Sequence, residues 1–299
     1  MDKFAAVVVT YNRLELLKGC LKSLREQTKP LDAIIVINNS STDGTQEWLD
    51  VQPDLTVIHQ DNGGGAAGFY RGMKEAYQMG FDWIWMMDDD VDPLTNCLEE
   101  MINANRSHNN EYDVLQPDRK FFNSQSEWRY GSKFNFNNPF KPEAILPIKS
   151  SDFIYEENIK TIVSFPFEGP LFSRKVIEKV GLVDHRYFIF YDDTDYSARV
   201  YNAGFKVGFV KSAIMTKMIN PQVSGIAVDW KLYYRIRNQI IIDRKFGNGY
   251  IAITRALYSN IQRILAVGKL ALKKRNFSSF PEDISAISKA VQDGFKFDI

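Results

Sequence analysis

Asp88, Asp89 and Asp90 stand side by side in MMDDDVDP, directly after an apolar run rich in Trp and Met. Adjacent carboxylates repel, so a strand end carrying three of them needs a positive partner. Side chains alternate along an extended backbone, which puts Asp88 and Asp90 on one side and Asp89 on the other. Two hard oxygen donors on one side suit Mg2+ or Mn2+, cations that also bridge to phosphate. A solvated acidic turn, continued by Asp92-Pro93, is the competing explanation. The second acidic cluster is YDDTDYSAR (191–199). A carboxylate placed at an acceptor hydroxyl can act as general base, and a like charge beside it raises its proton affinity. Asp195 and Arg199, four apart on the expected helix, pair with each other. Asp192 and Asp193 are left without a structural explanation.

Asn62-Gly63-Gly64-Gly65 opens a further helix, with Gly68 following and Arg71 a turn later. Glycines let backbone approach a ligand, a helix N-terminus favours anions, and Arg71 would add a cation. The stretch is neither GxGxxG nor a Walker sequence, and a tight turn without ligand also explains it. NNSSTDGT (38–45) reads as a polar turn with a helix cap at Thr42 or Asp43. Asn38 ends the strand before it, and its amide can both donate to and accept from a pyrimidine edge.

The elements that must position these residues follow from periodicity. FAAVVV (4–9), LDAIIVIN (31–38), LTVIHQ (55–60) and FDWIWMM (81–87) read as strands. Residues 14–27, a short stretch from Gln46 to Leu49, and Phe69 to Met79 read as helices, the first with Leu14, Leu17, Leu21 and Leu24 at helical spacing. Strand and helix alternate four times, which predicts a parallel α/β sheet with helices on both faces. Ligands of such sheets sit beyond the carboxyl ends of the strands, where TYNR, NNSSTDGT, NGGG and DDD all fall. Residues 106–160 read as irregular or antiparallel, 173–184 as a helix ending at Gly181, and KVGFV as another strand. From about 229 onward the pattern is helical. The expected division is an α/β domain over 1–225 and a helical region over 226–299.

Lys+Arg and Asp+Glu both number 37 among 299 residues, so no global charge points to nucleic acid, and any electrostatic function is local. Cys20, Cys97 and three scattered histidines offer neither a zinc pattern nor a disulfide scaffold. The N-terminus lacks a signal-peptide pattern and no apolar run reaches membrane-spanning length, so the expected location is the cytoplasm.

AVVVTYNR, VINNSSTDGT, the NGGGAAGF–RG segment, DWIWMMDDDVDP and FIFYDDTDYSAR, in this order and spacing, resemble the family-2 glycosyltransferases of the GT-A fold. The resemblance covers residues 4 to 210 and is greatest to the bacterial branch with galactofuranosyl- and rhamnosyltransferases. WKLYYRIRNQIII (230–242) is similar to a segment that often follows the catalytic domain there. The resemblance implies inverting transfer from a UDP- or dTDP-sugar to a saccharide acceptor of a bacterial surface polysaccharide, expected to be lipid-linked. It places Thr10, Tyr11, Asn12 and Arg13 around the nucleotide, with Gly64, Gly65, Arg71 and Asp89 also on the donor side, and sets Asn38 at the base. Asp88 falls near the ribose or sugar, Asp90 is the principal metal ligand with Asp88 beside it, and Asp193 is the base with Asp192 as its partner. Glu168 and Gly169 fall where relatives contact sugar or acceptor, and the aromatic Trp128 could stack on a sugar.

Two departures stand out. Many relatives carry Asp where Asn38 stands, and several carry a metal-binding His shortly after the second acidic cluster, where AIMTKMIN (213–220) has none. Lys269, Lys273, Lys274 and Arg275 lie among apolar residues, a pattern that suits either an anionic membrane surface or packing on the domain or on a second subunit of a homo-oligomer. Two alternatives remain at this level. A sugar-1-phosphate nucleotidyltransferase would want a basic Gly-rich signature near the first strand, which TYNRLELL lacks; a non-catalytic glycan- or nucleotide-binding subunit would bind without releasing nucleotide.

Overall fold

The computed structural model describes residues 2–123, 129–140, 145–149, 158–219, 230–274 and 280–299. Its chain forms two compact units. The first comprises Met1–Lys133, Pro147–Phe188 and Asp192–Asn220; the second comprises Phe134–Leu146, Ile189–Tyr191 and Pro221–Ile299.

In the first unit β1 (Phe4–Thr10), β2 (Ala33–Asn38), β3 (Leu55–His59) and β4 (Trp83–Asp88) lie parallel in the order β3-β2-β1-β4. All seven residues of β1 are buried, because both faces of the sheet are covered. Ala5, Val7 and Val9 point into one core with Phe69 and Met73 of α3 (Gly64–Gln78). Phe4, Ala6 and Val8 point into the other, with Leu17, Leu21 and Leu24 of α1 (Leu14–Arg25). Each fully buried valine contributes roughly 1.5–3 kcal/mol by leaving water. In register, Thr10 lies opposite Asn38 and Val9 opposite Asp88, so the polar strand ends come to one rim. α2 (Thr45–Leu49) starts after the NNSSTDGT turn, where Asp43 accepts from Thr45 N–H at 3.2 Å.

α3 starts five residues before the helix expected at Phe69. The reason is packing: a Cβ on Gly68 would lie 2.4 Å from Val9, and one on Gly72 2.2 Å from Val7. Close approach to β1 offsets the roughly 1 kcal/mol that glycine costs in a helix.

Beyond β4 the sheet becomes mixed. β5 (Val91–Pro93) and α4 (Cys97–Ser107) precede β6 (Val114–Phe121), which runs through the stretch read as irregular. β6 pairs antiparallel with β10 (Leu171–Ser173) and parallel with β11 (Val207–Lys217). Pro117 obscures this strand in the sequence; here it sits opposite Val210, where β11 changes register, a bulge that accommodates a residue with no N–H to donate. β7 (Arg129–Phe134) pairs with β8 (Ile145–Lys149), and β9 (Ile159–Ile162) pairs with β11. α5 (Arg174–Val180) stops at Gly181 (φ +84°), as expected, and α6 (Asp192–Asn202) opens on the second acidic cluster.

The second unit is helical. α7 (Trp230–Phe246), α8 (Gly249–Lys274) and α9 (Phe280–Lys296) pack through Ile236, Ile240, Ala256, Ile287 and Ala290. Asn238, fully buried on α7, donates to the carbonyls of Ile189 and Phe190 at 2.8 and 2.9 Å. Buried Arg255 of α8 pairs with Asp243 and donates to Asn135 and Asn138 carbonyls.

Candidate active site

The aspartate triplet meets two protein cations at the rim. Thr10 Oγ1 donates to Asp89 Oδ2 at 2.7 Å, and Arg13 Nη1 reaches Asp89 Oδ1 at 3.2 Å and Asp90 Oδ2 at 3.1 Å. From the far strand β11, Lys217 Nζ lies 2.6 Å from Asp90 Oδ1, 2.8 Å from Glu168 Oε1 and 3.9 Å from Asp88 Oδ2. Arg119 of β6 pairs with the other Glu168 oxygen. Glu168 is delivered by its neighbour's backbone: Gly169 N–H donates to Met86 O at 2.9 Å, and Trp85 Nε1 donates to Gly169 O at 2.8 Å. Gly169 has φ +94°, and a Cβ there would lie 2.8 Å from Pro117 and Met215, so this corner admits only glycine.

The protonation preferences follow from these partners. Burial pushes the Asp89 carboxyl up to about 6, although Arg13 and Thr10 oppose it. Burial also raises Asp88 well above the ordinary value, against the pull of Lys217 and with help from Asp90 and Glu168. For Glu168 burial acts upward, but Arg119 and Lys217 outweigh it and leave the carboxyl below the ordinary value. Lys217 shows the mirror image: burial acts downward, while Asp88, Glu168 and Asp90 raise it and keep it an ammonium.

A divalent ion on Asp90 would meet this ammonium. The two cations would repel each other across a short distance. Both Asp90 oxygens already accept from protein cations, and among the described residues no group of three or more His, Cys, Asp or Glu side chains is placed to hold a metal. The donor set expected for Mg2+ or Mn2+, Asp90 with Asp88, does not fit a resident divalent ion.

Asp192 and Asp193 open α6 and share the surroundings of the rim. Burial and the neighbouring Asp193 charge push the Asp192 carboxyl up. Burial likewise raises Asp193; Thr194 N–H, donating at 2.6 Å, pulls it down, Glu168 pushes it up and Arg119 pulls it down. Asp195 is spent elsewhere, on Arg199 at 2.7 Å and Tyr187 Oη at 3.1 Å, as its i, i+4 spacing suggests. The aromatic residues before the pair have left-handed backbone: Phe188 (φ +67°), Phe190 (φ +64°) and Tyr191 (φ +67°). Bulky side chains disfavour this region, so surrounding contacts must hold it.

Other expected positions behave differently. Asn38 is fully buried, its Oδ1 accepting from Ser41 N–H at 3.0 Å and its Nδ2 lying 3.0 Å from His59 Nδ1; a contact to a base edge would have to replace one of these. Tyr11 is exposed, and Asn12 (φ +53°) accepts from Thr42 N–H at 2.6 Å. Gly64 (φ +81°) approaches the chain itself: a Cβ there would lie 2.1 Å from Phe188 O, the acceptor of Ala66 N–H. Gly65 faces open space. Arg71 pairs with Glu75 along α3 rather than with the triplet. Trp128 lies outside the described residues. The sequence reading missed Arg119 and Lys217; Arg119 lies beside Lys120 in β6 and Lys217 ends β11, with no motif around either.

Comparison with known proteins supplies the context. The model of Glycosyl transferase family 2 matches residues 5–181. Galactofuranosyltransferase GlfT1 of Mycolicibacterium smegmatis is 29% identical over 206 residues, 68% of this chain and 67% of that protein. dTDP-rhamnosyl transferase RfbF of Shigella flexneri is 25% identical over 254 residues, 80% of this chain and 79% of that one. Among solved structures, GalNAc-T7 with UDP, GalNAc and Mn2+ gives a TM-score of 0.65 at 12% identity, covering 95% of this chain and 57% of that one. S. aureus TarS 1-349 with UDP-GlcNAc gives 0.55 at 15% identity, covering 97% and 81%. At these identities the structural likeness establishes the GT-A fold: a mostly parallel sheet flanked by helices, with further helices at the C-terminus.

Proposed function

The chain belongs to glycosyl transferase family 2, and from that premise we propose that it moves a sugar with inversion from a UDP- or dTDP-sugar to a growing, lipid-linked bacterial surface polysaccharide. Galactofuranose and rhamnose are the favoured sugars, by similarity to GlfT1 and RfbF. The observation that carries the reading is the Asp192–Asp193 pair, Asp192 buried and Asp193 half-buried, with Asp193 in the field of Glu168 and Arg119. Asp193 takes the proton of the acceptor hydroxyl. The hydroxyl oxygen bonds to the anomeric carbon as the carbon–oxygen bond to the diphosphate breaks, and that electron pair leaves with the nucleoside diphosphate. A raised carboxyl suits the task, because a base works best with its pKa near the working pH. Thr10, Tyr11, Asn12 and Arg13 flank the nucleotide in this reading. Among the described residues no group of three or more His, Cys, Asp or Glu side chains is placed to hold Mg2+ or Mn2+.

Asp193→Ala should lower transfer by roughly 10²–10⁴ while UDP affinity stays unchanged. Release of UDP or dTDP, coupled to an optical signal, reads the rate, and calorimetry reads the affinity. Undiminished turnover in the variant would remove Asp193 from the mechanism.

Peripheral contact with the inner face of the membrane completes the proposal, since a lipid-linked acceptor is presented there. No helix among the described residues is long and apolar enough to span a bilayer. On α8, Ile253, Leu257, Ile261 and Leu265 form an exposed stripe at four-residue spacing, beside an apolar groove shared with Ile287 and Val291 of α9. Such a stripe near Lys269 suits an anionic surface. Flotation with anionic vesicles should carry the protein, and Leu257→Glu should release it; a dimer in solution that hides the stripe, with no flotation, would refute the contact.

A further inference from the structure

We propose that Lys217 is the resident cation of this site: its ammonium group stands beside the donor's diphosphate in the place of a divalent ion, and transfer proceeds without free Mg2+ or Mn2+. The inference rests on the sugar-nucleotide reading above and deepens it by naming the group that carries the countercharge.

Asp90 and Glu168 accept from Nζ at 2.6 and 2.8 Å, and Asp88 lies 3.9 Å away. The backbone fixes where that cation sits. Lys217 lies opposite Val91 across the β5–β11 ladder, and the next N–H, of Met218, donates to the Asp90 carbonyl at 2.8 Å. The end of β11 is thereby fastened to the triplet itself. The Lys217 side chain is only 12% exposed, so its charge is held close to the carboxylates and little screened by water. Arg13 closes the other flank, so each Asp90 oxygen has a protein cation beside it.

Lysine is chemically apt for this role. Its ammonium is a compact point charge with three N–H donors on a flexible stem. Asp90 and Glu168 lie at hydrogen-bond distance and take two donors, whereas Asp88 lies beyond it. The third donor serves a phosphate oxygen. As the anomeric bond breaks, negative charge grows on the departing oxygen, and a cation already in place stabilises that charge without solvent having to reorganise. Lys217 keeps its proton throughout; the acceptor's proton goes to Asp193.

The test uses the whole chain and has two independent readouts. Nucleotide release from UDP- and dTDP-sugars is measured in excess EDTA and in excess Mn2+, and Mn2+ uptake is followed by electron paramagnetic resonance with and without UDP. Wild type should turn over equally in both conditions and leave Mn2+ free. Lys217→Met should lose roughly a hundredfold or more in kcat/KM, as removal of a preorganised charge-stabilising donor does. Lys217→His should gain Mn2+ binding and recover activity only with the ion. Loss of wild-type turnover in EDTA with recovery in Mn2+, or wild-type Mn2+ uptake equal to that of Lys217→His, overturns the proposal. The wild-type measurements decide it even where a variant misfolds. Absence of turnover with every sugar nucleotide in both conditions would instead sink the sugar-nucleotide reading, and the Mn2+ titration would still decide who holds the cation position.

Discussion

The two halves of the sheet rim are built on opposite plans. On the β1–β4 side the site residues cluster at strand ends: Thr10 ends β1, with Arg13 just beyond it, and Asp88 ends β4, with Asp89 and Asp90 following directly. On the β6–β11 side they are cations from separate strands, Arg119 and Lys217, joined through Glu168 at a sequence separation of 49 residues each. Lys217 reaches Asp90 across 127 residues. The acidic half is therefore local in sequence and the basic half is local only in space. Each is unfavourable alone, since stripped of its countercharge it would bury uncompensated charge. Together they offset much of each other's charge before a ligand arrives.

The largest stability difference should appear between the two arginines. Arg119 is buried, with a side chain 2% exposed, whereas Arg13 is 44% exposed. Removing one partner of a buried pair leaves a charge that water cannot reach, so Arg119→Met should destabilise the chain by about 3 kcal/mol. Water can replace much of what Arg13 gives, so Arg13→Met should cost about 1 kcal/mol. Urea midpoints at unchanged slope measure both. A larger loss for Arg13→Met would mean that the acidic half, not the basic half, depends on buried pairing.

The same contrast explains what the sequence revealed. Strands β1 to β4 and helices α1 and α5 were legible because apolar periodicity and polar strand ends are local signals, and the acidic pair at Asp192–Asp193 was legible because its clustering lacked a local reason. α3 was placed late because glycine is read as a helix breaker, while Gly68 and Gly72 are there to let the helix touch Val9 and Val7. β6 was lost to Pro117 and to the polar Gln116, Asp118 and Arg119, whose burial depends on partners from β11 and Glu168. Arg13 and Lys217 also stand beside the triplet, and no spacing rule connects Lys217 to residues 88–90.

A smaller effect tests whether the basic half reaches the candidate base. Asp193 is raised by burial and by the Glu168 charge, and lowered by Thr194 and Arg119. A general base acts when deprotonated, so a raised carboxyl places the acid limb of kcat/KM above the ordinary carboxylate range, and activity is lost as pH falls through that raised value. Asp192 and Asp193 repel each other, so the limb belongs to the pair rather than to either residue. Glu168→Gln removes a negative neighbour and leaves Arg119 in place, which favours the Asp193 anion. The limb should move to lower pH by a fraction of a unit, one full unit corresponding to about 1.4 kcal/mol. Glu168 also belongs to the candidate sugar site, so the height of the profile will fall for reasons of binding, and only its midpoint bears on Asp193. An unmoved midpoint would separate the base from the Glu168–Arg119 pair, and the two halves of the rim would then act as independent sites.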